Sequence, residues 1–308
     1  MISKIVAIQG NDPSKLNPKT DTSIFLANEI QNKKYKIFDY SPKNLSILNS
    51  KVIAKGFFIE FNYENKKCFK ILKKHTLDLT NCKFILIRQD PPFNLEYIST
   101  TYILDRIKSK VKIINNPTSI RNISEKLYSA KYQRFMPSTI FTRDLSEIKS
   151  FIKKNKKIIL KPIHGFSGND IHLLNKFDTQ LIEKFIRKHD HIMCQKFLPK
   201  ISKGDKRVFI INGKICGAIS RVPKKGSFLS NMSKGAKPIH IKLTNIENKI
   251  SKIIAKDLMK EDIFFAGIDF IDQKLNGDIN ITSPTGLKSF FDISGKNLAK
   301  TFWKELEA

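Results

Sequence analysis

The chain has 308 residues, 41% of them hydrophobic, and a formal net charge of +28. That length predicts a large core split over two domains or more, and the hydrophobic content excludes an intrinsically disordered chain. No apolar run reaches the roughly 20 residues that span a bilayer, so no membrane partner is expected. The charge also suits a nucleic-acid partner. Its lysines are dispersed, however, in pairs such as Lys33-Lys34, Lys73-Lys74 and Lys153-Lys154, within a sequence rich in Ile and Asn. No zinc-finger, RRM or KH signature is present, so no nucleic acid is expected, while a basic surface favours small anionic substrates. Cys68, Cys82, Cys194 and Cys216 form no CxxC pair, which predicts free thiols and no zinc. The first ten residues hold only a short apolar run before Asn11-Asp12-Pro13. They read as a strand and a turn rather than a signal peptide, and the protein is expected in the cytoplasm.

In chain order, residues 4–9 read as a strand, and Asp21, Thr22 or Ser23 caps a helix starting near Ile24. Tyr35 to Tyr40 is the next strand, so the spacing predicts an α/β domain with a parallel sheet. Residues 50–76 read as Lys-rich hairpins. Lys83 to Arg88 is a buried strand stopped by Pro91-Pro92, which cannot continue a ladder. Ligands in open α/β sheets gather beyond the carboxyl ends of strands, so Arg88 is a candidate for holding a substrate carboxylate; a surface arginine is the simpler alternative. A helix over Leu95 to Lys108 and a strand over Val111 to Ile114 follow, and Asn115-Asn116-Pro117 turns the chain. Asn122-Ile123-Ser124-Glu125 has the spacing of a capping box and predicts a helix carrying Lys126 in its first turn. A lysine there opposes the helix dipole unless a phosphate sits beside it; a solvated lysine is the alternative.

Lys156 to Leu160 reads as a strand, followed by Lys161 and the loop His164-Gly165-Phe166-Ser167-Gly168. A strand-end lysine beside a glycine-containing loop can meet phosphates with its ammonium and with backbone N–H groups. No GK[ST] follows, so this is not a Walker motif. Ile192 to Phe197 is a strand, and Val208 to Ile211 and Lys214 to Arg221 form a hairpin through Asn212-Gly213. Pro223 to Lys237 is a long loop of the kind that serves as a lid, and Ile246 to Met259 is an amphipathic helix. A second hairpin runs from Ile263 to Thr282, with its turn expected at Asn276-Gly277, and a helix closes the chain within 291–308. Strand alternation places Asp278 and Asn280 on one face, opposite Ile279 and Ile281. A carboxylate and an amide oxygen on one face suit a hard cation such as Mg²⁺, with Asp269 as a third donor. The same pattern also suits a surface hairpin with a solvated polar face.

Two spaced lysines, a glycine-containing loop, the strand end Gln195-Lys196-Phe197-Leu198 and a late Asp/Asn hairpin resemble the ATP-grasp fold. More specifically, the sequence resembles the bacterial glutathione synthetases. The segments that carry this are DPSKLNPKTDTS (12–23), IRQDPPFNLEYISTTYIL (87–104), NNPTSIRNISEKLY (115–128), ILKPIHGFSG (159–168), QKFLPKISKGDKRV (195–208), ISRVP (219–223), and GIDF with DINITSP between 267 and 284. The resemblance implies an N-terminal α/β substrate domain over 1–121 and a two-subdomain ATP-grasp module over 122–308. The lid subdomain would span about 126–198 and the catalytic remainder 199–308.

The same resemblance implies an enzyme that joins γ-glutamylcysteine and glycine with ATP and Mg²⁺ (or Mn²⁺) through an acyl phosphate. Lys126 and Lys161 would contact the phosphates, Gly165, Phe166, Ser167 and Gly168 would close over them, and Gln195 to Leu198 would hold adenine. Arg207 and Arg221 would face the reacting carboxyl group. Arg88, Ser283 and Thr285 would position the dipeptide, and Asp269, Asp278 and Asn280 would bind the metal. A homo-oligomer, a tetramer, is also implied. The chain departs from the family pattern with Asp278 in place of glutamate, His164 in place of an acid, Ser167 in place of glycine and Leu229 in place of arginine. It also has Gly235-Ala236 in place of paired glycines, and Gly286-Leu287 in place of Arg-Glu. These departures keep two alternatives open: a related carboxylate–amine ligase with another acceptor, or a non-catalytic nucleotide binder. A metal-facing Asp278 contributes little to packing, so Asp278→Ala is expected to leave the thermal melt nearly unchanged.

Overall fold

The computed structural model describes residues 4–65 and 67–308. Strand β1 (Ile5–Gln9), helix α1 (Thr22–Gln31) and strand β2 (Lys36–Tyr40) follow the predicted order, and β1 pairs in parallel with β2. Of the three candidate caps, Asp21 caps α1, its carboxylate accepting the Ile24 N–H at 2.8 Å. Strands β3 (Leu45–Leu48), β4 (Lys51–Phe61) and β5 (Phe69–Asp78) form antiparallel ribbons on the β2 side. On the other side β1 pairs in parallel with β6 (Phe84–Ile87), and β6 with β7 (Lys112–Ile114). Helix α2 (Leu95–Asp105) lies between them in sequence. β1 and β6 are continuous apolar runs because they are buried on both faces.

Beyond helix α3 (Pro117–Asn122) a second, antiparallel sheet has the order β10-β9-β11-β8. Its strands are β8 (Thr139–Thr142), β9 (Ile158–Pro162), β10 (His172–Leu174) and β11 (Ile192–Lys196). Helices α4 (Leu145–Asn155) and α5 (Thr179–His189) cover it, with Phe151, Ile182 and Phe185 in its core. Lys156, read as the start of a strand, instead ends α4 with φ 63°.

The third sheet has the order β14-β13-β12-β15-β16, all pairs antiparallel. These are β12 (Asp205–Ile211), β13 (Lys214–Val222), β14 (Lys237–His240), β15 (Phe265–Ile271) and β16 (Lys274–Asn280). Helix α6 (Asn245–Lys260) packs Ile250, Ile254 and Leu258 against one face, which includes Val208 and Ile268. The other face, with Phe209 and Phe265, joins helices α7 (Leu287–Ser294) and α8 (Leu298–Glu307) to α1 in a single core. Trp303 Nε1 donates to the Leu26 carbonyl at 2.8 Å inside that core.

Two local expectations fail where tertiary partners outcompete them. Asn122 ends α3 instead of capping a new helix, and Lys126 precedes a 3₁₀ run over Leu127–Phe135. Glu125, the other half of the expected capping box, reaches across to the segment after β16. Its Oε1 accepts from Ile281 N–H (2.7 Å), Thr282 N–H (2.9 Å) and Thr282 Oγ1 (2.9 Å). The β15–β16 turn is Asp272-Gln273, both with positive φ, as a two-residue hairpin turn requires. Asn276-Gly277 lies inside β16, where pairing slips from Ile268↔Ile279 to Phe270↔Leu275. It is a bulge, with Gly277 at φ 83°.

Asn115, read as a turn residue, joins the first sheet to the third. Its Nδ2 donates to the carbonyls of Phe265 (2.8 Å) and Ile281 (2.6 Å), and its Oδ1 accepts from the N–H groups of Phe264 (3.0 Å) and Phe265 (2.8 Å). Asn115→Ala leaves these buried groups without partners. It should lower the unfolding free energy by about 3 kcal/mol or more, read as a lower midpoint in urea. An unchanged midpoint would show that the bonds contribute nothing.

Candidate active site

The second and third sheets enclose a cleft of about 690 Å³ that the N-terminal loop also lines. Every candidate residue except Arg88 lies on its wall. Arg88 lines an adjoining recess, which shares Asp21, Asp90, Ser283 and Thr285 with the cleft.

On the phosphate side, β9 carries Lys161, and Lys126 stands just before the 3₁₀ run, both buried. Lys126 Nζ donates to the Gly165 carbonyl at 2.7 Å and lies 3.2 Å from Asp278 Oδ1. Lys161 Nζ donates to the Asn276 backbone carbonyl (2.8 Å) and side-chain oxygen (3.1 Å), with Asp278 Oδ2 at 3.5 Å. The bulge therefore has a use: it turns Asn276 back onto Lys161. Burial drives the Lys161 pKa down, opposed by Asp278. Burial drives the Asp278 pKa up, but the two ammoniums outweigh it and hold the carboxyl below its ordinary value.

Gly165 to Gly168 follow β9 as a loop with Ser167 at φ 54° and Gly168 at φ 70°. A Cβ on Gly168 would fall 2.3 Å from Asn231 Oδ1, so the loop after β13 sits directly on this one. The exposed His164 stacks on Phe93, ring centroids 6.1 Å apart. At the end of β11, Lys196 N–H donates to Ser138 O (2.8 Å) and Phe197 N–H to Lys157 O (3.0 Å). Gln195 is buried, its Nε2 donating to Thr139 Oγ1 at 3.1 Å. Leu198 opens the turn beyond the strand.

The opposite wall is an ion-pair network on β12, β13 and β15. Arg207 grips Asp269 in a bidentate pair, Nε to Oδ1 at 2.8 Å and Nη2 to Oδ2 at 2.7 Å. Arg221 Nη2 reaches Asp269 Oδ2 at 3.0 Å, and Arg221 also pairs through Nε and Nη2 with Asp205. Asn280 Nδ2 donates to Asp269 Oδ2 at 3.2 Å, and Arg207 Nη1 to Thr285 Oγ1 at 3.4 Å. Burial raises the Asp269 pKa, but the guanidiniums dominate and hold the carboxyl well below its ordinary range. Asp205 carried no role in the sequence reading. Its signal was an acid two residues before Arg207, hence on the same face of β12.

Among the described residues no group of three or more His, Cys, Asp or Glu side chains converges to hold a metal. Of the residues lining the cleft, Asp278 offers a carboxylate and Asn280 an amide oxygen on one face of β16. With Asn280 Nδ2 turned to Asp269 and Gly267, its oxygen stays available. Asp269 Oδ2 takes three donors and Oδ1 only one, so Oδ1 keeps a lone pair. This set of hard oxygens fits Mg²⁺, which binds through one or two carboxylates plus substrate phosphates.

Among the described residues no helix is long and apolar enough to cross a membrane, and all four cysteines are free thiols. Residues 5–121 match the family described as prokaryotic glutathione synthetase, N-terminal domain, and residues 125–294 match its ATP-grasp domain. A glutathione synthetase of Agrobacterium fabrum is 34% identical over 99% of this chain and 96% of its own length. One of Buchnera aphidicola is 36% identical over 96% and 94%. Among solved structures, a D-cycloserine synthetase superposes with a TM-score of 0.67 at 11% identity over 98% of each chain. The D-alanyl-alanine synthetase A of Vibrio cholerae gives 0.63 at 14% identity over 98% and 97%. The distant structures share the ATP-grasp fold alone; the matches to both halves, with relatives aligned over nearly their whole length, place this chain in the prokaryotic glutathione synthetase family.

Proposed function

We propose that the chain forms glutathione from γ-glutamylcysteine, glycine and ATP through an acyl phosphate. The observation that carries this is the convergence of two buried lysines and two carboxylate-anchored arginines on one cleft of a family member. Lys126 and Lys161 neutralise the ATP phosphates, and the N–H groups of Gly165, Phe166, Ser167 and Gly168 close over them. Gln195, Lys196, Phe197 and Leu198 line the adenine end, where the Leu198 N–H has no hydrogen-bond partner among the described residues. Asp278 and Asn280, with Asp269 through Oδ1, hold Mg²⁺, or Mn²⁺ in its place. When bound, the metal neutralises charge on the transferring phosphoryl group.

The cysteinyl carboxylate oxygen bonds to the γ-phosphorus, and the bond to ADP breaks. The glycine amine then attacks the acyl carbon and loses a proton, and inorganic phosphate leaves. Arg207 and Arg221 face the reacting carboxyl group, and their anchoring by Asp269 and Asp205 fixes them where negative charge develops. Arg88, Ser283 and Thr285 position the dipeptide. The proposed division is a substrate domain over 1–121 and an ATP-grasp module over 122–308, with its lid subdomain at about 126–198 and the rest at 199–308. The family resemblance supports a cytoplasmic homo-oligomer, a tetramer, which a solution mass by light scattering tests.

Phosphate release from ATP is expected only with Mg²⁺, γ-glutamylcysteine and glycine together. A second reading rests on Leu229, which lines the cleft beside the phosphate loop. Release with the dipeptide and a larger amine, but not with glycine, would favour that reading. ATP binding without release under any combination would leave only a nucleotide binder.

A further inference from the structure

β16 stands at one end of the third sheet, so the strand that carries Asp278 and Asn280 is an edge strand. An antiparallel edge leaves a backbone N–H pointing outward at every second residue. Glu125 takes these groups up. Its carbonyl accepts from Ile279 N–H at 3.1 Å, and its Oε1 accepts from Ile281 N–H at 2.7 Å. The same Oε1 takes the Thr282 N–H and hydroxyl, both at 2.9 Å. The next residue in the chain is Lys126, whose Nζ lies 3.2 Å from Asp278 Oδ1 and donates to the Gly165 carbonyl. The 3₁₀ run that begins after Lys126 has no side-chain cap to fix its start. The clasp on β16 supplies that anchor.

A lysine side chain is long and flexible, so its ammonium is placed only as well as its backbone is. We propose that Glu125 is a positioning residue for the nucleotide. Through the free edge of β16 it holds Lys126 in register with Asp278, so that the lysine and the strand of oxygen donors meet ATP as one unit. The inference rests on Lys126 contacting the ATP phosphates. A residue that only sealed the sheet edge would make the same bonds. The two roles differ in whether the effect of Glu125 passes through Lys126.

The test is a double-mutant cycle on ATP affinity, read by calorimetry with Mg²⁺ but with neither dipeptide nor glycine present. Glu125→Ala should weaken binding by about tenfold or more in the wild-type background. In a Lys126→Met background the same change should cost less than about threefold, because the group it positions is gone. Glu125→Gln keeps an acceptor oxygen at the same length and should bind within about threefold of the wild type. If Glu125→Ala does not fold, Glu125→Asp, one methylene short of the β16 edge, takes its place in the cycle with the same expectation. Equal losses in both backgrounds would overturn the proposal and leave Glu125 as a brace of the sheet. Unchanged affinity in the alanine or aspartate variant would overturn it as well. A wild type that binds ATP but makes no glutathione would overturn the reaction alone, since the cycle reads nucleotide binding without it.

Discussion

Asp278→Ala is expected to reduce phosphate release by about a thousandfold or more and to lower the thermal melt by several degrees. The loss of activity follows from removing the carboxylate proposed for Mg²⁺. The change in melt reverses the expectation from sequence. Asp278 sits between Lys126 and Lys161 at 3.2 and 3.5 Å, and both lysines are buried. Without it, two ammoniums face each other without a counter-charge, at a cost of about 1–3 kcal/mol. ATP brings its own negative charge to the same lysines, so the melts of wild type and variant should converge when nucleotide is added. Asp278→Glu keeps the charge and should keep the melt. Full activity in the alanine variant would end the metal assignment, and an unchanged melt would end the charge argument.

Asp269→Asn should be the most destabilising single change in the site, at about 3–5 kcal/mol in urea unfolding at neutral pH. Among the described residues Arg207 has no other carboxylate, whereas Arg221 keeps Asp205. Asparagine offers one acceptor and turns an NH₂ toward a guanidinium. The pH dependence has a defined sign. A carboxyl held below its ordinary value contributes stability above the unfolded pKa, about 4, and loses that contribution as pH falls toward the folded value. The gap between wild type and Asp269→Asn should therefore be widest near neutrality and narrow below about pH 4. A gap independent of pH would show that packing, not charge, holds Asp269 in place.

Most strands and helices were legible because apolar periodicity survives tertiary packing. The alternation of Asp278 and Asn280 against Ile279 and Ile281 holds in the structure, with both isoleucines fully buried. The position of the turn was not legible. Asn276-Gly277 has ideal turn chemistry, but Asp272-Gln273 accepts positive φ at both positions and leaves the glycine for the bulge. The sequence also does not reveal long-range side-chain partners. Glu125 matches a capping box in one dimension and clasps Ile281 and Thr282 in three. Asn115 and Asp205 look like an ordinary turn residue and an ordinary strand acid until the fold places their partners. The pairing of cationic and acidic candidates in one cleft came through resemblance, because nothing in local spacing links Lys126 to residue 278.

The core that joins α1 to α7 and α8 limits how this chain can be recombined. Residue 121 looks like a natural crossover point for building chimaeras between relatives. A graft there would separate Ile24, Phe25 and Leu26 from Phe302 and Trp303, which share one core with them. It would also split the Asn115 clasp on β15. An exchangeable cassette would have to carry the last two helices together with the first domain, as an inheritance unit that is discontinuous in sequence.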